Sequence, residues 1–262
     1  MRVIAGDLHV NCQLSGPERA PLVVLSHSLA SSGIMWEQQM PALVGGYRVL
    51  RYDTRGHGGS DAPAGPYSLD QLADDAVALL DALDIESVHW VGLSMGGMIG
   101  QNLALRHSRR LLSLALCDTT SRIPDEAKGM WHERIAEAER NGMNGLCEAT
   151  MQRWFTSAFV DEDGPQLECI REQFLATPTS GYVGCCQAIL DLDYTEALSS
   201  VTLATHLIVG ADDPSTPPAA SRTIQQAISG ATLSVIDNAA HLSNVEQPEA
   251  FNEALLDFLD NL

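Results

Sequence analysis

The sequence predicts an α/β protein in which helices flank a mostly parallel, doubly wound sheet and a helical cap is inserted between two strands. Three observations lead to this prediction. Short, nearly continuous apolar runs recur along the chain, helical patterns separate them, and the segment 122–195 contains no such run. Alternation of buried strands and helices is typical of doubly wound sheets. We therefore expect a core of residues 1–121 and 196–262, with the cap at 122–195.

Strands are predicted wherever apolar residues follow one another closely. The opening segment VIAGDLHVNCQL alternates loosely, which favours an antiparallel hairpin. PLVVLSH (21–27), YRVLRYD (47–53) and VHWVGL (88–93) are apolar along most of their length, as are strands buried on both faces of a parallel sheet. Further strands are predicted at 111–118, 205–212 and 231–237.

The clearest predicted helix is the segment 68–83, which lies between two of these strands. Its apolar residues recur with helical spacing and form one stripe: Leu69, Leu72, Ala73, Ala76, Leu79, Leu80 and Leu83. Ser68, followed three residues later by Gln71, is typical of a capping box. The same spacing predicts a helix at the end of the chain, through Phe251, Ala254, Leu255, Phe258 and Leu259.

The segment 122–195 combines helical and loop-like sequence rich in Trp, Met and Cys. Glycine and proline interrupt it at Gly142, Gly145, Gly164-Pro165, Pro178 and Gly181. These interruptions predict several short helices instead of one long helix.

The length and charge of the chain limit its partners. A chain of 262 residues allows one large domain with a substantial core. The 34 acidic and 15 basic side chains give a formal net charge of -19, which repels nucleic acid and anionic membranes. The sequence lacks the pattern of a signal peptide or a membrane span. We expect a cytoplasmic protein that binds neither nucleic acid nor membrane, while assembly into a homo-oligomer stays open.

The six cysteines are scattered along the chain. The one adjacent pair, Cys185 and Cys186, has neither zinc-binding spacing nor a second matching pair. We interpret most of the cysteines as reduced, buried small side chains. None lies at a strand-to-helix turn, so none is predicted to be a nucleophile.

A candidate nucleophile stands in WVGLSMGGMIG, between a predicted strand and a predicted helix. GLSMG matches G-x-S-x-G, the pattern of a nucleophile elbow that presents Ser94. Gly92 and Gly96 lack Cβ atoms, so the chain can turn tightly there. The alternative is a glycine-rich turn without function. A phosphate-binding loop is disfavoured because the glycine spacing fits neither G-x-G-x-x-G nor a Walker loop.

A serine hydroxyl needs a base to activate it and an acid to orient that base. His241 lies between the last predicted strand and the terminal helix, at the same sheet edge as Ser94, and is the predicted base. The other seven histidines have structural interpretations in turns, strands or the cap. Asp213 is the predicted acid, since it ends a G-x-x-D pattern from Gly210. Asp212 and Asp118 stay open as alternatives.

The negative charge of a tetrahedral intermediate requires backbone donors. The amide of Met95, at the start of the predicted helix, is one expected donor. The second is expected in the loop HSLASS after the strand at 21–27, where we favour the amide of Leu29.

These motifs together resemble the α/β-hydrolase superfamily over essentially the whole chain. The stretches that carry the resemblance are SHSLASSGIMW, YDTRGHGGS, GLSMGG, GADDPSTP and the NAAH loop. Within the superfamily, HSLAS, RWFTSAF (153–159) and GYVGCCQAI (181–189) resemble 3-oxoadipate enol-lactonases, which hydrolyse an enol-lactone to 3-oxoadipate in aromatic degradation. Where that family usually has Asn-Ser-Leu-Gly, this chain has His27-Ser28-Leu29-Ala30.

The resemblance implies a serine hydrolase that forms an acyl-enzyme on Ser94 and needs no metal or organic cofactor. Its small lactone substrate carries a carboxylate, so a basic side chain or an amide donor, provided by the cap, is expected to face the pocket despite the acidic chain. The candidates are Arg122, Arg134, Arg140 and Arg153, of which we choose Arg134. Trp36 and Trp154 are expected to wall the pocket, with Trp131 as an alternative.

Other interpretations stay open. In YDTRGHGGS, the polar residues Asp53, Arg55 and His57 are interpreted as groups that fix loops, not as a second site. The same catalytic groups with another pocket would suit a different carboxylesterase, a perhydrolase-like enzyme or a carbon-carbon bond hydrolase. A non-catalytic ligand receptor could also retain the fold.

Overall fold

A computed structural model describes all residues 1–262 and contains one eight-stranded sheet. The strands, in chain order, are β1 (Arg2–Ala5), β2 (Leu8–Ser15), β3 (Leu22–Ser26), β4 (Arg48–Tyr52), β5 (Val88–Leu93), β6 (Leu111–Cys117), β7 (Ala204–Gly210) and β8 (Thr232–Ile236). Their order across the sheet is β1-β2-β4-β3-β5-β6-β7-β8. β2 pairs antiparallel with both β1 and β4, and all the other neighbouring strands pair in parallel. The predicted fold class, a mostly parallel doubly wound sheet, is confirmed.

Helices of the core connect these strands and pack beside the sheet. They are α1 (Met40–Leu43), α2 (Leu69–Ala82), α3 (Met95–Arg106), α9 (Pro218–Ala227), α10 (Ser243–Glu246) and α11 (Pro248–Asp260). Between β6 and β7 the chain forms the helices α4 (Asp125–Asn141), α5 (Cys147–Trp154), α6 (Ser157–Glu162), α7 (Pro165–Ala176) and α8 (Thr179–Leu190). This helical insertion lies within the segment predicted as a cap and is called the cap below. Short 3₁₀ helices form at Gly33–Gln39, Ser108–Arg110, Met143–Gly145 and Ala197–Ser200.

The helix α2 illustrates how local sequence sets an element. The Oγ atom of Ser68 accepts a hydrogen bond from the amide of Gln71, which caps the first turn as the sequence pattern predicts. Six residues of the predicted apolar stripe are buried, and Leu83, which follows the helix, is partly buried. Burial of this stripe against the sheet and α3 stabilises the crossover between β4 and β5.

The order of the strands determines where a site can form. Parallel strands present their carboxyl ends at one edge, and the strand order reverses direction at β3. The loops that follow β3, β5, β7 and β8 therefore meet at this edge. These loops carry Leu29, Ser94, Asp213 and His241, respectively.

The cysteines occupy the buried positions that composition suggested. Cys12, Cys117, Cys147, Cys185 and Cys186 are buried, Cys169 is partly buried, and none forms a disulfide. Burial raises the pKa of Cys117 and Cys185 above the ordinary thiol value, which opposes thiolate formation. No helix is both long and apolar enough to cross a bilayer.

One close contact between the cap and the core is formed by two glycines. A Cβ atom on Gly181 of α8 would lie 2.0 Å from the carbonyl oxygen of Gly56, which follows β4. Gly56 itself has a φ of +81°, a conformation that other residues rarely adopt. Close backbone contact between the cap and the core thus depends on the absence of side chains at both positions.

We expect Gly181→Ala to lower the free energy of unfolding by about 1–3 kcal/mol, because the added methyl group must push α8 from the core. Urea unfolding measures this change. Gly129→Ala is the matched control, since Gly129 lies exposed in α4 with open space around its Cα. There alanine should raise stability by up to about 1 kcal/mol through its helix propensity. Equal stabilities of the two variants would contradict the proposed contact.

Candidate active site

Ser94 lies at the sharp turn between β5 and α3. Its φ of +54° and ψ of -112° are unusual for a residue other than glycine. A Cβ atom at Gly92 would lie 2.1 Å from the carbonyl oxygen of Gly96, and one at Gly96 would lie 2.2 Å from that of Ser26. Only glycine fits at either position, so the tight turn that the G-x-S-x-G pattern predicts depends on these two residues.

The structure brings Ser94, His241 and Asp213 together in one hydrogen-bonded chain. The Nε2 atom of His241 lies 3.0 Å from the Oγ atom of Ser94, and its Nδ1 atom lies 2.8 Å from Oδ2 of Asp213. Both His241 and Asp213 are buried. With the Nδ1 proton donated to Asp213, the Nε2 atom is free to accept the proton of Ser94.

Asp213 is held as a carboxylate by several donors. The amides of Ser215 and Thr216 donate to its Oδ1 atom at 2.7 and 3.0 Å, and the Thr216 hydroxyl donates to Oδ2 at 2.6 Å. Burial opposes ionisation, but the adjacent His241 and these hydrogen bonds outweigh it, so the pKa of Asp213 is lowered. The resulting negative charge can stabilise an imidazolium on His241.

The side chains of the two alternative acids, Asp212 and Asp118, do not bond to His241. Asp212 is exposed, and its side chain makes no hydrogen bond within the protein. Asp118 is buried, but its carboxyl group bonds to the amide of Gly210 and the hydroxyl of Ser243, not to His241. Asp213 is therefore the one of the three acids whose side chain contacts the imidazole.

The two expected oxyanion donors are the amides of Leu29, in the loop after β3, and of Met95, which directly follows Ser94. Met95 is the first residue of α3, where amides lack an acceptor within the helix. The amide of Leu29 donates to no group of the protein, and Leu29 lines the cavity beside Ser94. The following residue, Ala30, has a φ of +57°, so the loop is sharply bent at this point.

Two buried histidines fix the loop of Leu29. The amide of Ala30 donates to Nε2 of His57 at 2.9 Å, and the amide of Thr54 donates to Nε2 of His27 at 2.9 Å. Because each Nε2 atom accepts, the proton of each ring lies on Nδ1. The Nδ1 atom of His57 donates to the carbonyl oxygen of Arg55, and that of His27 donates to the carbonyl oxygen of Ser28. Burial lowers the pKa of His27, and burial together with His27 lowers that of His57 from 6.5 to about 3.

The polar residues of YDTRGHGGS contribute to the same framework. Asp53 accepts hydrogen bonds from the amides of Gly33 and Gly59 and from the side chain of Asn11. Arg55 forms a bidentate ion pair with Asp75 of α2. The cavity beside Ser94 is not lined by Asp53, Arg55 or His57.

A cavity of about 460 Å³ lies between the core and the cap, with Ser94 and His241 in its wall. Most of its lining is apolar or aromatic, including Met98, Trp131, Trp154 and Phe174. The indole ring of Trp154 lies 6.5 Å from the imidazole ring of His241, measured between centroids. Trp154 is thus placed at the cavity beside the reactive groups, as expected.

The expected position of Trp36 is wrong. Trp36 is fully buried in the core, where it packs against Phe251 of α11 at 6.0 Å between ring centroids, and it does not line the cavity. The 3₁₀ helix Gly33–Gln39 follows the loop of Leu29 and turns this side chain toward the terminal helix. Closeness in sequence to Leu29 therefore did not imply closeness to the cavity.

Three of the four candidate arginines line the cavity: Arg122, Arg134 and Arg153. None of these three forms an ion pair with an acidic side chain, and the guanidinium of Arg134 lies 5.0 Å over the ring of Trp131. Arg140 instead pairs with Glu137 at the exposed surface of α4. Burial, with the charge of Arg134, lowers the pKa of Arg153 from 12.5 to about 10. Arg153 thus carries a partly desolvated charge whose one hydrogen bond is to Thr150.

The cap is bonded to the loop that carries His241. Glu246 of α10 accepts hydrogen bonds from the amide of Ala240 at 2.9 Å and from the amide of Thr156 at 3.0 Å. The hydroxyl group of Thr156 donates to the same carboxylate. The amide of Leu242 donates to the carbonyl oxygen of Trp154 at 3.1 Å. Residues on both sides of His241 are therefore connected to the cap.

Sequence reasoning missed two features of this site. Thr216 holds Asp213 together with Ser215. The signal was the stretch DPST, because an Asp side chain often bonds to the amides two or three residues on. Glu246 was missed because no local pattern marks a residue whose partners are 6 and 90 positions away in the chain.

A model of the family described as alpha/beta hydrolase fold matches residues 21–248. The chain belongs to the α/β-hydrolase fold family. The match covers the elbow, the loop of Leu29 and the residues of the hydrogen-bonded chain. The superfamily resemblance inferred from the motifs is confirmed.

Named relatives of this α/β hydrolase are similar over nearly their whole length. The 3-oxoadipate enol-lactonase 2 of Acinetobacter baylyi is 36% identical over 251 residues, which are 96% of this chain and 93% of the relative. The crystal structure of the enol-lactonase from Burkholderia xenovorans LB400 has a TM-score of 0.94 and 38% identity, and 98% of each chain is covered. A malate-bound esterase from Thermogutta terrifontis has a TM-score of 0.93 and 26% identity, with 100% and 98% covered. The expected resemblance to enol-lactonases is confirmed.

Acid should destabilise this hydrolase through His57. The unfolded chain binds a proton on this residue below pH 6.5, whereas the folded chain resists protonation down to about pH 3. The free energy of unfolding is therefore unaffected by the titration of His57 above pH 6.5. It falls as the pH drops from 6.5 toward 3, by up to about 1.4 kcal/mol per pH unit. Urea unfolding between pH 4 and 8 should show a shallower pH dependence for His57→Gln. Equal slopes for the two proteins would contradict the assignment.

Proposed function

We propose that this chain hydrolyses a small carboxylated enol-lactone, 3-oxoadipate enol-lactone, to 3-oxoadipate in aromatic compound catabolism. The reaction would proceed through an acyl-enzyme on Ser94, with His241 as base and Asp213 as the acid that orients it. The proposal goes beyond membership of the hydrolase family to a substrate and a mechanism. The names of the relatives above support the substrate.

The observation that carries the proposal is the charge of the cavity. Its lining includes three arginines and no aspartate or glutamate, although the whole chain has a net charge of -19. A partly buried arginine without an ion-pair partner is costly unless a ligand supplies the anion. An anionic substrate supplies it, whereas a neutral ester does not. We therefore place the substrate carboxylate between Arg134 and Arg153, with Arg122 at the rim of the cavity.

The first half of the reaction opens the ring. The Oγ atom of Ser94 attacks the lactone carbonyl carbon while Nε2 of His241 takes the hydroxyl proton. The negative charge on the carbonyl oxygen is stabilised by the amides of Leu29 and Met95. The bond from the carbonyl carbon to the ring oxygen then breaks, and the ring oxygen leaves as an enolate. The enolate takes the proton held by Nε2 of His241 and becomes a ketone, which leaves His241 neutral for the second half. An enolate leaves more readily than an alkoxide, so little acid catalysis is required.

The second half releases the product. A water molecule gives a proton to His241 and attacks the ester carbon of the acyl-enzyme, and the proton returns to the Oγ atom of Ser94 when the ester bond breaks. The groups in this scheme are all side chains and amides of this chain, so the mechanism calls for no metal or organic cofactor.

The test is hydrolysis of the enol-lactone by the wild type and by Ser94→Ala. The loss of the ultraviolet absorbance of the enol-lactone measures the rate. We expect rapid turnover by the wild type and a fall in kcat of about 10³-fold or more in the variant. Aryl esters without a carboxylate should be poorer substrates. Preference for such esters would favour another carboxylic ester hydrolase of this fold, and tight binding without turnover would favour a receptor.

Arg153→Met should raise the KM for the enol-lactone by about 10–100-fold, because a charge-assisted hydrogen bond to the carboxylate is lost. The KM for a neutral ester such as 4-nitrophenyl acetate should change little. Arg140→Met is the matched control, because it removes an arginine that is exposed and lies outside the cavity. Equal effects of both substitutions, or equal effects on both substrates, would contradict carboxylate recognition by Arg153.

A further inference from the structure

Asp118 is a buried carboxyl group that the proposed mechanism does not use. It follows β6 directly, is fully buried, and has a φ of +42°. Its amide donates to the carbonyl oxygen of Ile208 in β7 at 2.8 Å. A left-handed conformation at a buried aspartate costs free energy and persists only where surrounding contacts hold it.

The backbone on either side of Asp118 contacts the nucleophile. The amide of Ser94 donates to the carbonyl oxygen of Cys117 at 2.9 Å. The hydroxyl group of Thr119 donates to the carbonyl oxygen of Ser94 at 2.8 Å. The residues before and after Asp118 thus hold both backbone polar groups of Ser94.

The side chain of Asp118 contacts the segments of the other two reactive residues. Its Oδ1 atom accepts a hydrogen bond from the amide of Gly210 at 2.8 Å, three residues before Asp213. Its Oδ2 atom lies 2.5 Å from the hydroxyl oxygen of Ser243, two residues after His241. One carboxyl group therefore joins the end of β7 to the loop of His241.

The surroundings of Asp118 favour its neutral form. Burial is the main cause of its raised pKa, and the carboxylates of Asp213 and Glu246 raise it further. Hydrogen bonds from Ser243 and Gly210 act in the opposite direction but are outweighed. In its neutral form the carboxyl group accepts from Gly210 at Oδ1 and donates from Oδ2 to the Ser243 hydroxyl, which then acts as the acceptor, and a side-chain amide can do the same. Asp213 is the carboxyl group that bonds to His241, whereas Asp118 bonds to Gly210 and Ser243.

We propose that Asp118 is a positioning residue that holds the strand end of Asp213, the loop of His241 and the turn of Ser94 in register. It does so through hydrogen bonds and is not a second charged acid for His241. This inference rests on the proposed roles of the three reactive residues but not on the identity of the lactone.

The experiment compares Asp118→Asn, Asp118→Ala and Asp213→Asn by kinetics and by proton NMR. Asparagine can keep both hydrogen bonds, so Asp118→Asn should retain kcat for 4-nitrophenyl acetate within about threefold, whereas Asp118→Ala should lose about 100-fold with little change in KM. The NMR signal of the His241 Nδ1 proton, deshielded by Asp213, should persist in Asp118→Asn and disappear in Asp118→Ala. Asp212→Asn, which alters an exposed neighbouring carboxylate, is the control and should match the wild type.

Two outcomes would overturn the proposal. If Asp118→Asn loses as much kcat as Asp213→Asn and the pH profile of kcat changes in the same way, Asp118 acts as a charged acid. If Asp118→Ala keeps the wild-type kcat and the His241 signal, it positions nothing.

Ser243→Ala decides the matter if Asp118→Ala does not fold, as judged by thermal unfolding. This smaller change removes one partner of Asp118 and should lower kcat by about tenfold and shift the His241 signal. An unchanged kcat and signal would overturn the proposal. Turnover by Ser94→Ala would overturn the proposed function separately, since the NMR signal does not depend on turnover.

Discussion

The strained turn at Ser94 is the constraint on which the rest of the site depends. The first turn of α3 lies so close to β5 and β3 that Gly92 has no room for a Cβ atom beside Gly96, and Gly96 has none beside Ser26. The turn therefore holds the hydroxyl group at the carboxyl edge of the sheet, where the loops after the neighbouring strands end. Two hydrogen bonds hold the strained backbone of Ser94 in place. Its amide donates to the carbonyl oxygen of Cys117, and its carbonyl oxygen accepts from the hydroxyl group of Thr119.

Charge is separated between the two halves of the molecule. The core places buried carboxyl groups around the loop of His241, where Asp213 is ionised and Asp118 favours the neutral form. The cap contributes Arg134 and Arg153 to a cavity wall that has no acidic side chain. A chain with a net charge of -19 can thereby offer a cationic surface to a small anion. In the proposed reaction, the core would supply the chemistry and the cap the recognition.

The cap and the loop of His241 form one bonded unit. Glu246 receives hydrogen bonds from Ala240 of the loop and from Thr156 of the cap, and the backbone of Trp154 accepts another from Leu242. A shift of the cap would therefore move the residues beside His241. Changes in the cap that alter substrate recognition are expected to affect the position of the base as well, because the same segment contributes to both.

The sequence alone determined the parallel sheet, the helix at 68–83 and the tight turn at Ser94, because apolar periodicity and glycine sterics act over a few residues. The tertiary structure decided what depends on distant segments. It placed Asp213, and not Asp118, beside His241, and turned Trp36 into the core. It also left Arg153 without an acidic partner. Such choices depend on which side chains long-range packing brings within hydrogen-bond distance, and no local pattern contains that information.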